Sequence, residues 1–177
     1  ATPEPYRPGT LAQTNVEPFL LPNHNGRQLV FINGHYAKEL SHTTALPQGV
    51  RVESLNQAYR ADPEWVASLV AHHANKDSAF TALNTAFLQD GAFVHTAKNV
   101  VCKLPIHLIF ITTATGPALM SQPRTLVVAE ANSQVTVAET FAGIGTGAYF
   151  TNAVTEIVAH DNAQVDHYKL QDETLEG

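Results

Sequence analysis

Cysteine is nearly absent from this 177-residue chain, in which Cys102 is the only one. A single cysteine cannot form an internal disulfide, and it cannot supply a metal site that needs several thiolates. Because disulfides mark oxidising compartments, their exclusion favours a reducing one, and we predict a cytoplasmic protein. Cys102 lies in a predicted strand between Val101 and Lys103, where an unpaired cysteine is most often a small buried apolar residue.

Basic residues are also few. Lys and Arg together number 10 against 16 Asp and Glu, which gives a formal net charge of -6. Nucleic acids and anionic membranes are held chiefly by clustered basic side chains, and the sequence contains no such cluster. No apolar run approaches the roughly 18 residues that a membrane-spanning helix requires. We therefore predict no nucleic-acid partner and no membrane association.

The first part of the sequence predicts a loop followed by a hairpin. Residues 1–28 are dense in Pro and Asn and predict an extended segment. Residues 29–32 are apolar and are followed by the pair Asn33-Gly34. Both residues tolerate positive φ, which suits the two-residue loop of a β-hairpin.

Two helices are predicted next. The pair Asp62-Pro63 combines a side-chain cap with a residue that fits the first helical turn, and a second helix is predicted from Ser78. His72 and His73 would lie on the first helix, where adjacent residues point in different directions and do not share a metal ion. The predicted apolar faces are Trp65, Val66, Leu69 and Val70 in the first helix and Phe80, Leu83, Ala86 and Phe87 in the second.

From about Gly91 onward the sequence is typical of an all-β structure. Short runs of Val, Ile, Thr and Phe are separated by Gly, Asn and Pro. The predicted strands include residues 93–95, 100–102, 106–111, 126–128, 135–137, 149–158 and 165–170.

A repeat organises this half of the chain. Residues 125–135 align without a gap with residues 155–165, an offset of 155 − 125 = 30, and place Asn132 and Asn162 at the same turn. A looser copy is predicted at residues 86–94. Such a period is typical of stacked solenoids, in which equivalent residues of successive coils lie one strand spacing apart. Thus we expect Val128 over Val158 and Val135 over Val165, with Gln164 exposed. The alternative is two similar hairpins in a sandwich or a cupin-like barrel.

The predicted fold class is mainly β: a right-handed parallel β-helix (solenoid) preceded by a small α+β N-terminal region. Residues 1–77 would form the extended, α+β capping region. Residues 78–177 would form the first coils of the β-helix, with its core beginning near residue 88. A β-helix that is truncated exposes the strand edges and the apolar interior of its last coil, so we expect self-association through residues 150–177.

Several segments resemble a known family. Residues 80–87 (FTALNTAF) and residues 90–95 (DGAFVH) resemble the start of the SufB/SufD core. Residues 29–36 and 47–50 resemble the N-terminal region of SufD. Later segments follow the family's order and spacing: residues 105–108, 123–127, 150–156 and 162–171. On these segments the chain is identified as a member of the SufB/SufD family of iron–sulfur cluster assembly proteins, most similar to SufD, although the family's Trp-Arg/Lys-Tyr-Thr segment is absent.

The resemblance implies a scaffold subunit of a SufBCD complex and not an enzyme. Its implied partners are a SufB-like subunit and a SufC-like ATPase. In the family, the Cys and His associated with nascent cluster or iron, and the helices that dock the ATPase, lie beyond the position of Gly177. We therefore expect a fragment that lacks the C-terminal part and has no cofactor of its own, with an Fe–S cluster or iron bound in the full assembly. The alternatives are a β-helix carbohydrate-active enzyme and a small-molecule-binding β-domain.

No catalytic, cofactor-binding or metal-binding residue is assigned from the sequence. His160 and His167 are the best-placed metal candidates, because Asp161 and Asp166 beside them could orient an imidazole. His95 would occupy a related position in the stack. Stacked polar residues on an exposed face are the interpretation we prefer.

Acidic and glycine-rich segments are the remaining candidates. A β-helix carbohydrate-active enzyme would use paired acids in a groove. We instead expect the acids at turns and coil edges, on an acidic surface. These residues are Asp90, Glu130, Glu139, Glu156 and Asp161. Residues 143–147 (GIGTG) lack the endings of phosphate-binding loops, so we predict a flexible connection between coils.

Overall fold

The computed structural model describes residues 11–22, 27–44, 46–75, 77–114 and 118–175, and these residues are mainly β. The strands are β1 (Gln28–Ile32), β2 (His35–Tyr36), β3 (Val50–Ser54), β4 (Gly91–Thr96), β5 (Ile106–Ala114), β6 (Leu119–Ser121), β7 (Arg124–Ala129), β8 (Gln134–Gly145), β9 (Tyr149–Thr151), β10 (Val154–Ala159) and β11 (Gln164–Asp172). The helices are α1 (Gln13–Val16), α2 (Leu55–Ala61), α3 (Pro63–Ala67) and α4 (Ala79–Ala86), with 3-10 turns at Glu17–Phe19 and Lys38–Leu40.

The strands form three sheets that the chain visits in a repeating order. The five-stranded sheet has the order β11-β8-β5-β1-β2, the four-stranded sheet β10-β7-β4-β3, and the two-stranded sheet β6-β9. After β4, β5 and β6, the chain returns to the same sheets as β7, β8 and β9, and then as β10 and β11. Each return adds a parallel strand beside the earlier one.

The predicted 30-residue register is confirmed. Val158 pairs with Val128, and Val165 pairs with Val135, in parallel strands. Gln164 is exposed, as predicted. The Asn162 Nδ2 donates to the Asn132 Oδ1 at 3.0 Å. The two asparagines have φ values of 56° and 59°, a left-handed conformation that asparagine tolerates.

The predicted earlier copy at residues 86–94 is wrong. The third member of the asparagine stack is Asn99, whose φ is 63° and whose Oδ1 accepts from Asn132 Nδ2 at 3.0 Å. Its spacing is 132 − 99 = 33, so an ungapped comparison at 30 residues misses it. Gly91 instead begins β4 opposite Arg124.

The N-terminal prediction is partly confirmed. Asn33 and Gly34 have φ values of 52° and 82° and join β1 to β2 in an antiparallel hairpin. The predicted extended segment is wrong for residues 13–19, which form α1 and a 3-10 turn. Val16 is completely buried there, against the outer face of the five-stranded sheet, and this burial outweighs the local Pro and Asn content. Residues 1–10 and 23–26 lie outside the described residues.

Apolar side chains pack in three layers. The largest cluster lies between the two main sheets and contains Leu108, Val127 and Val135. A second cluster covers the outer face of the five-stranded sheet, and a third packs α2 and α3 against the outer face of the four-stranded sheet. Consequently β7 is covered on both faces, as its completely buried pattern shows.

The helices begin where predicted but differ in extent and orientation. Asp62 Oδ1 accepts from Trp65 N at 3.3 Å and caps α3, which ends at Ala67. His72 and His73 therefore lie in the following turns and not on the helix. Trp65, Leu69 and Val70 pack against the third cluster, and Val66 is part of it.

Helix α4 does not bury the predicted apolar face. Phe80 and Phe87 are 61% and 51% exposed, whereas Asn84 is completely buried. The Asn84 Nδ2 donates to the carbonyl oxygens of Pro123 at 3.0 Å and Asn152 at 2.7 Å. Because these buried carbonyls gain a donor from α4, the Asn84 side chain packs inward.

Candidate functional site

A buried carboxylate joins four strands between the two main sheets. Glu139 of β8 is fully buried. The hydroxyl groups of Thr125 and Thr155 donate hydrogen bonds to its carboxylate, with oxygen–oxygen distances of 2.5 and 2.9 Å. The Nε2 of His167 lies 2.9 Å from Glu139 Oε2. The cluster thus connects β7, β8, β10 and β11 through one carboxylate.

The surroundings of Glu139 favour its ionised form. Burial raises the pKa of the Glu139 carboxyl. The hydrogen bonds from His167, Thr125 and Thr155, together with the charge of His167, more than offset this effect and leave the pKa below its ordinary value. A carboxylate enclosed in this way stabilises the pairing of the last strands only while it is ionised and its donors are in place.

Acid should weaken this cluster. A carboxyl whose folded pKa is depressed contributes stability above its unfolded pKa and loses it as the pH falls through the folded value. We therefore expect the urea concentration at the unfolding midpoint to decrease as the pH is lowered below about 4.5. The decrease should be smaller in Glu139→Gln. The measurement is urea unfolding of both proteins between pH 6.5 and pH 3. If the urea midpoints of the two proteins decreased in parallel with pH, the acid-induced loss of stability could not be assigned to Glu139.

A second buried network lies on the outer face of the four-stranded sheet. Arg124 and Glu156 have completely buried side chains, and Arg124 Nη1 lies 2.5 Å from Glu156 Oε1. Arg124 Nε also donates to Asn84 Oδ1 at 2.8 Å, and its Nη2 donates to the Thr85 hydroxyl at 2.7 Å. One guanidinium therefore connects β7, β10 and α4.

The same Glu156 carboxylate holds the segment after α3. It accepts from the backbone N–H groups of Ala71 at 2.9 Å, His73 at 3.0 Å and Ala74 at 3.0 Å. Its charge is therefore both paired and fully hydrogen-bonded, which is how a carboxylate is tolerated inside a protein. The network fastens residues 71–74 and α4 to the sheet.

The structure separates the predicted histidine candidates. His95 and His160 flank Glu130, with Nε2-to-carboxylate distances of 3.6 and 3.9 Å. His167 instead belongs to the Glu139 cluster. Burial lowers the pKa of His95, partly offset by Glu130. Within the described ranges, no three His, Cys, Asp or Glu side chains are arranged to hold a metal ion.

Cys102 is buried, as predicted, but it follows an isolated bridge at Val101 and is not part of a strand. Its Sγ lies 3.4 Å from the carbonyl oxygen of Leu104. Burial raises the pKa of the Cys102 thiol. A thiol with a raised pKa is a poor nucleophile at neutral pH, which favours a packing role for this residue.

The acidic residues differ from the prediction in an informative way. Glu130 and Asp161 lie at turns, as predicted. Glu139 and Glu156 lie within strands and are buried, so their expected surface positions are wrong. Neither carboxylate is free to act in a groove, because both are committed to internal hydrogen bonds. Asp90 precedes β4, and burial raises the pKa of its carboxyl.

Residues 143–147 are not simply a flexible connection. Gly143 and Gly145 belong to the end of β8. A Cβ at Gly143 would lie 2.3 Å from the Tyr149 hydroxyl oxygen and 3.0 Å from the Thr174 backbone nitrogen, so any other residue there requires these neighbours to shift.

Two family models match this chain. The SufBD protein N-terminal region matches residues 19–108, and the SufBD core domain of the SUF system for FeS cluster assembly matches residues 110–176. The chain belongs to the SufBD family. This result confirms the resemblance and argues against the carbohydrate-active enzyme and the cupin-like domain.

Curated relatives agree with the family models. A SufBD family iron–sulfur cluster assembly protein of Synechocystis is 39% identical over 163 residues, which are 88% of this chain and 36% of that relative. A SufBD family protein of Trieres chinensis is 32% identical over 70% of this chain and 25% of its own length. SufD of Bacillus subtilis is 31% identical over 49% of this chain and 20% of its own length. The chain thus spans roughly a third or less of these relatives.

The described part of the chain contains no helix that is long and apolar enough to cross a membrane.

Proposed function

We propose that this chain is part of a scaffold subunit, of the SufD type, in a SUF complex that assembles iron–sulfur clusters. In this proposal it works with a SufB-like subunit and a SufC-like ATPase in the cytoplasm. It contributes shape and interface and performs no catalytic step, and the Fe–S cluster is the cargo of the whole assembly. The observation that carries the proposal is the match of both SufBD family models across residues 19–176.

The parallel stacking of strands supports a more specific fold. We propose that β4 to β11 are the first coils of a right-handed parallel β-helix and that residues 1–77 cap its beginning. In support, β1 pairs with the edge of β5, and β3 pairs antiparallel with β4. The capping region thereby covers the first strand of each main sheet and leaves later strands to stack in parallel.

The opposite edges of the sheets favour an interaction. β10 and β11 are the outermost strands of their sheets, and Ile157, Tyr168 and Leu170 on them are 38%, 58% and 40% exposed. Edge strands with apolar side chains readily pair with another chain. We propose that this edge packs against further protein in the assembly and mediates self-association when the chain is alone.

The isolated chain is expected to be inactive. Cys102 is buried with a raised pKa, and no His, Cys, Asp or Glu cluster within the described residues is arranged to hold a metal ion. We expect no ATP hydrolysis, and no stable cluster after anaerobic incubation with iron and sulfide. The measurements are phosphate release, visible absorption and bound iron. A cluster chromophore with near-stoichiometric iron that is lost in Cys102→Ser would contradict the proposed role.

A further inference from the structure

A cleft of about 560 Å³ lies between α2, α3 and the segment before β4. Its apolar lining includes Leu55, Val66, Val70 and Leu88. Small-molecule sites typically have volumes of roughly 300–1,000 Å³, apolar walls and a few polar groups. The cleft has this size and character; it borders the Glu156 network where Val70 precedes Ala71, but none of its lining side chains belongs to that network.

The lining of the cleft includes charged groups of both signs, Arg60 and Asp90. Arg60 is exposed in the cleft wall, and no carboxylate within the described ranges forms an ion pair with it. Tyr59, at 51% exposure, lies beside it. The acidic group, Asp90, is already engaged, because its Oδ1 accepts from Asn56 N at 3.0 Å and Gly91 N at 2.8 Å.

We propose that this cleft binds a small molecule with an apolar body and one anionic group. The body packs against the accessible apolar side chains Val70 and Leu88, and the anionic group binds Arg60. On a chain of net charge -6, a guanidinium that has no ion-pair partner among the described residues and lies beside an apolar cavity selects an amphiphilic anion over a neutral or cationic molecule. This binding site is independent of the proposed scaffold role.

The probe pair for the test is 8-anilinonaphthalene-1-sulfonate, an apolar anion, and its uncharged analogue N-phenyl-1-naphthylamine. Probe fluorescence and the emission of Trp65, the single tryptophan, report binding, since Trp65 immediately precedes the cleft residue Val66. We expect saturable binding of the sulfonate with one site per chain. Octanoate should displace it, which shows that the anion need not be a sulfonate.

Three variants make the test specific. Arg60→Gln should weaken binding of the sulfonate probe by about tenfold, the effect of one charge-assisted hydrogen bond. The affinity for the neutral probe should not change. Ala67→Phe should weaken both probes, because Ala67 is exposed and a larger side chain there fills the cleft. Lys98→Gln, an exposed cation elsewhere, should change neither. Circular dichroism and the urea midpoint establish that each variant is folded.

Three results would overturn the proposal. The first is the absence of saturable binding, and the second is equal sulfonate affinity in Arg60→Gln and the parent protein. The third is binding that arises only after deletion of residues 1–10, which would identify a segment of the chain itself as the occupant. The scaffold proposal would survive each of them, because it does not depend on the cleft.

Discussion

Val135→Asp is expected to prevent stable folding of this chain. Val135 is 3% exposed and lies in the cluster between the two main sheets, directly beside Val165 of the next strand. An aspartate there would place a charge among apolar side chains without a partner, at a cost of several kcal/mol. Since a domain is typically stable by only about 5–15 kcal/mol, we expect a large loss of the β signal in circular dichroism.

The matched control is the neighbouring residue. Gln134 is exposed and donates to Gln164 Oε1 at 3.1 Å, so Gln134→Asp removes one surface hydrogen bond and should change the unfolding free energy by less than about 1 kcal/mol. The loss of unfolding free energy in Val165→Asp should lie between the losses in Val135→Asp and Gln134→Asp, because Val165 on the edge strand is only partly buried. Urea unfolding measures all three. Equal losses at positions 134 and 135 would contradict the alternation of inward and outward side chains.

Arg124→Met is expected to have the second-largest effect. The substitution leaves the buried carboxylate of Glu156 without its guanidinium partner and removes donors from Asn84 and Thr85. Breaking a buried ion pair from one side typically costs about 3–5 kcal/mol. We expect a loss of this size in the urea unfolding free energy, and faster proteolysis at residues 71–74 and in α4, which the network fastens to the sheet.

A double-variant cycle provides the control. Glu156→Gln removes the charge while its side-chain oxygen can still accept from the backbone of residues 71–74. In Arg124→Met with Glu156→Gln no uncompensated charge remains. The loss of unfolding free energy in the double variant should therefore be smaller than the sum of the losses in the two single variants by about 2 kcal/mol. Additive losses, within about 0.5 kcal/mol, would show that the two side chains are not energetically coupled.

The register of the β half could be predicted because one repeat has no gap. Asn132 and Asn162 occupy equivalent turns, and the strands on either side inherit the same 30-residue offset. The earlier member, Asn99, could not be found at that offset because three extra residues separate it from Asn132. A search for asparagine followed by an apolar strand, with variable spacing, would have located it.

The two buried carboxylates differ in whether their burial could be predicted from the sequence. Glu139 could have been found, because alternation in β8 places it on the same face as Val135, Val137 and Phe141. Glu156 could not, because its side chain points away from that cluster, and the sequence does not reveal that residues 71–74 cover the outer face of β10.

Helix α4 shows the limit of apolar periodicity. Phe80 and Phe87 predict the buried face, yet Asn84 and Thr85 face the sheet because Arg124 and two backbone carbonyls need partners there. The contacts that decide the orientation are 39 to 68 residues distant in sequence. Local pattern cannot contain this information.

The most direct test of the proposed role is co-purification. The full-length protein that contains this sequence would be tagged and co-expressed with SufB-like and SufC-like proteins of the same organism. The molar mass of the purified material would be measured by size-exclusion chromatography with light scattering. We predict a single complex that retains both partners. Recovery of the tagged protein without either partner, while the other two associate with each other, would contradict the assignment of this chain to a SUF assembly scaffold.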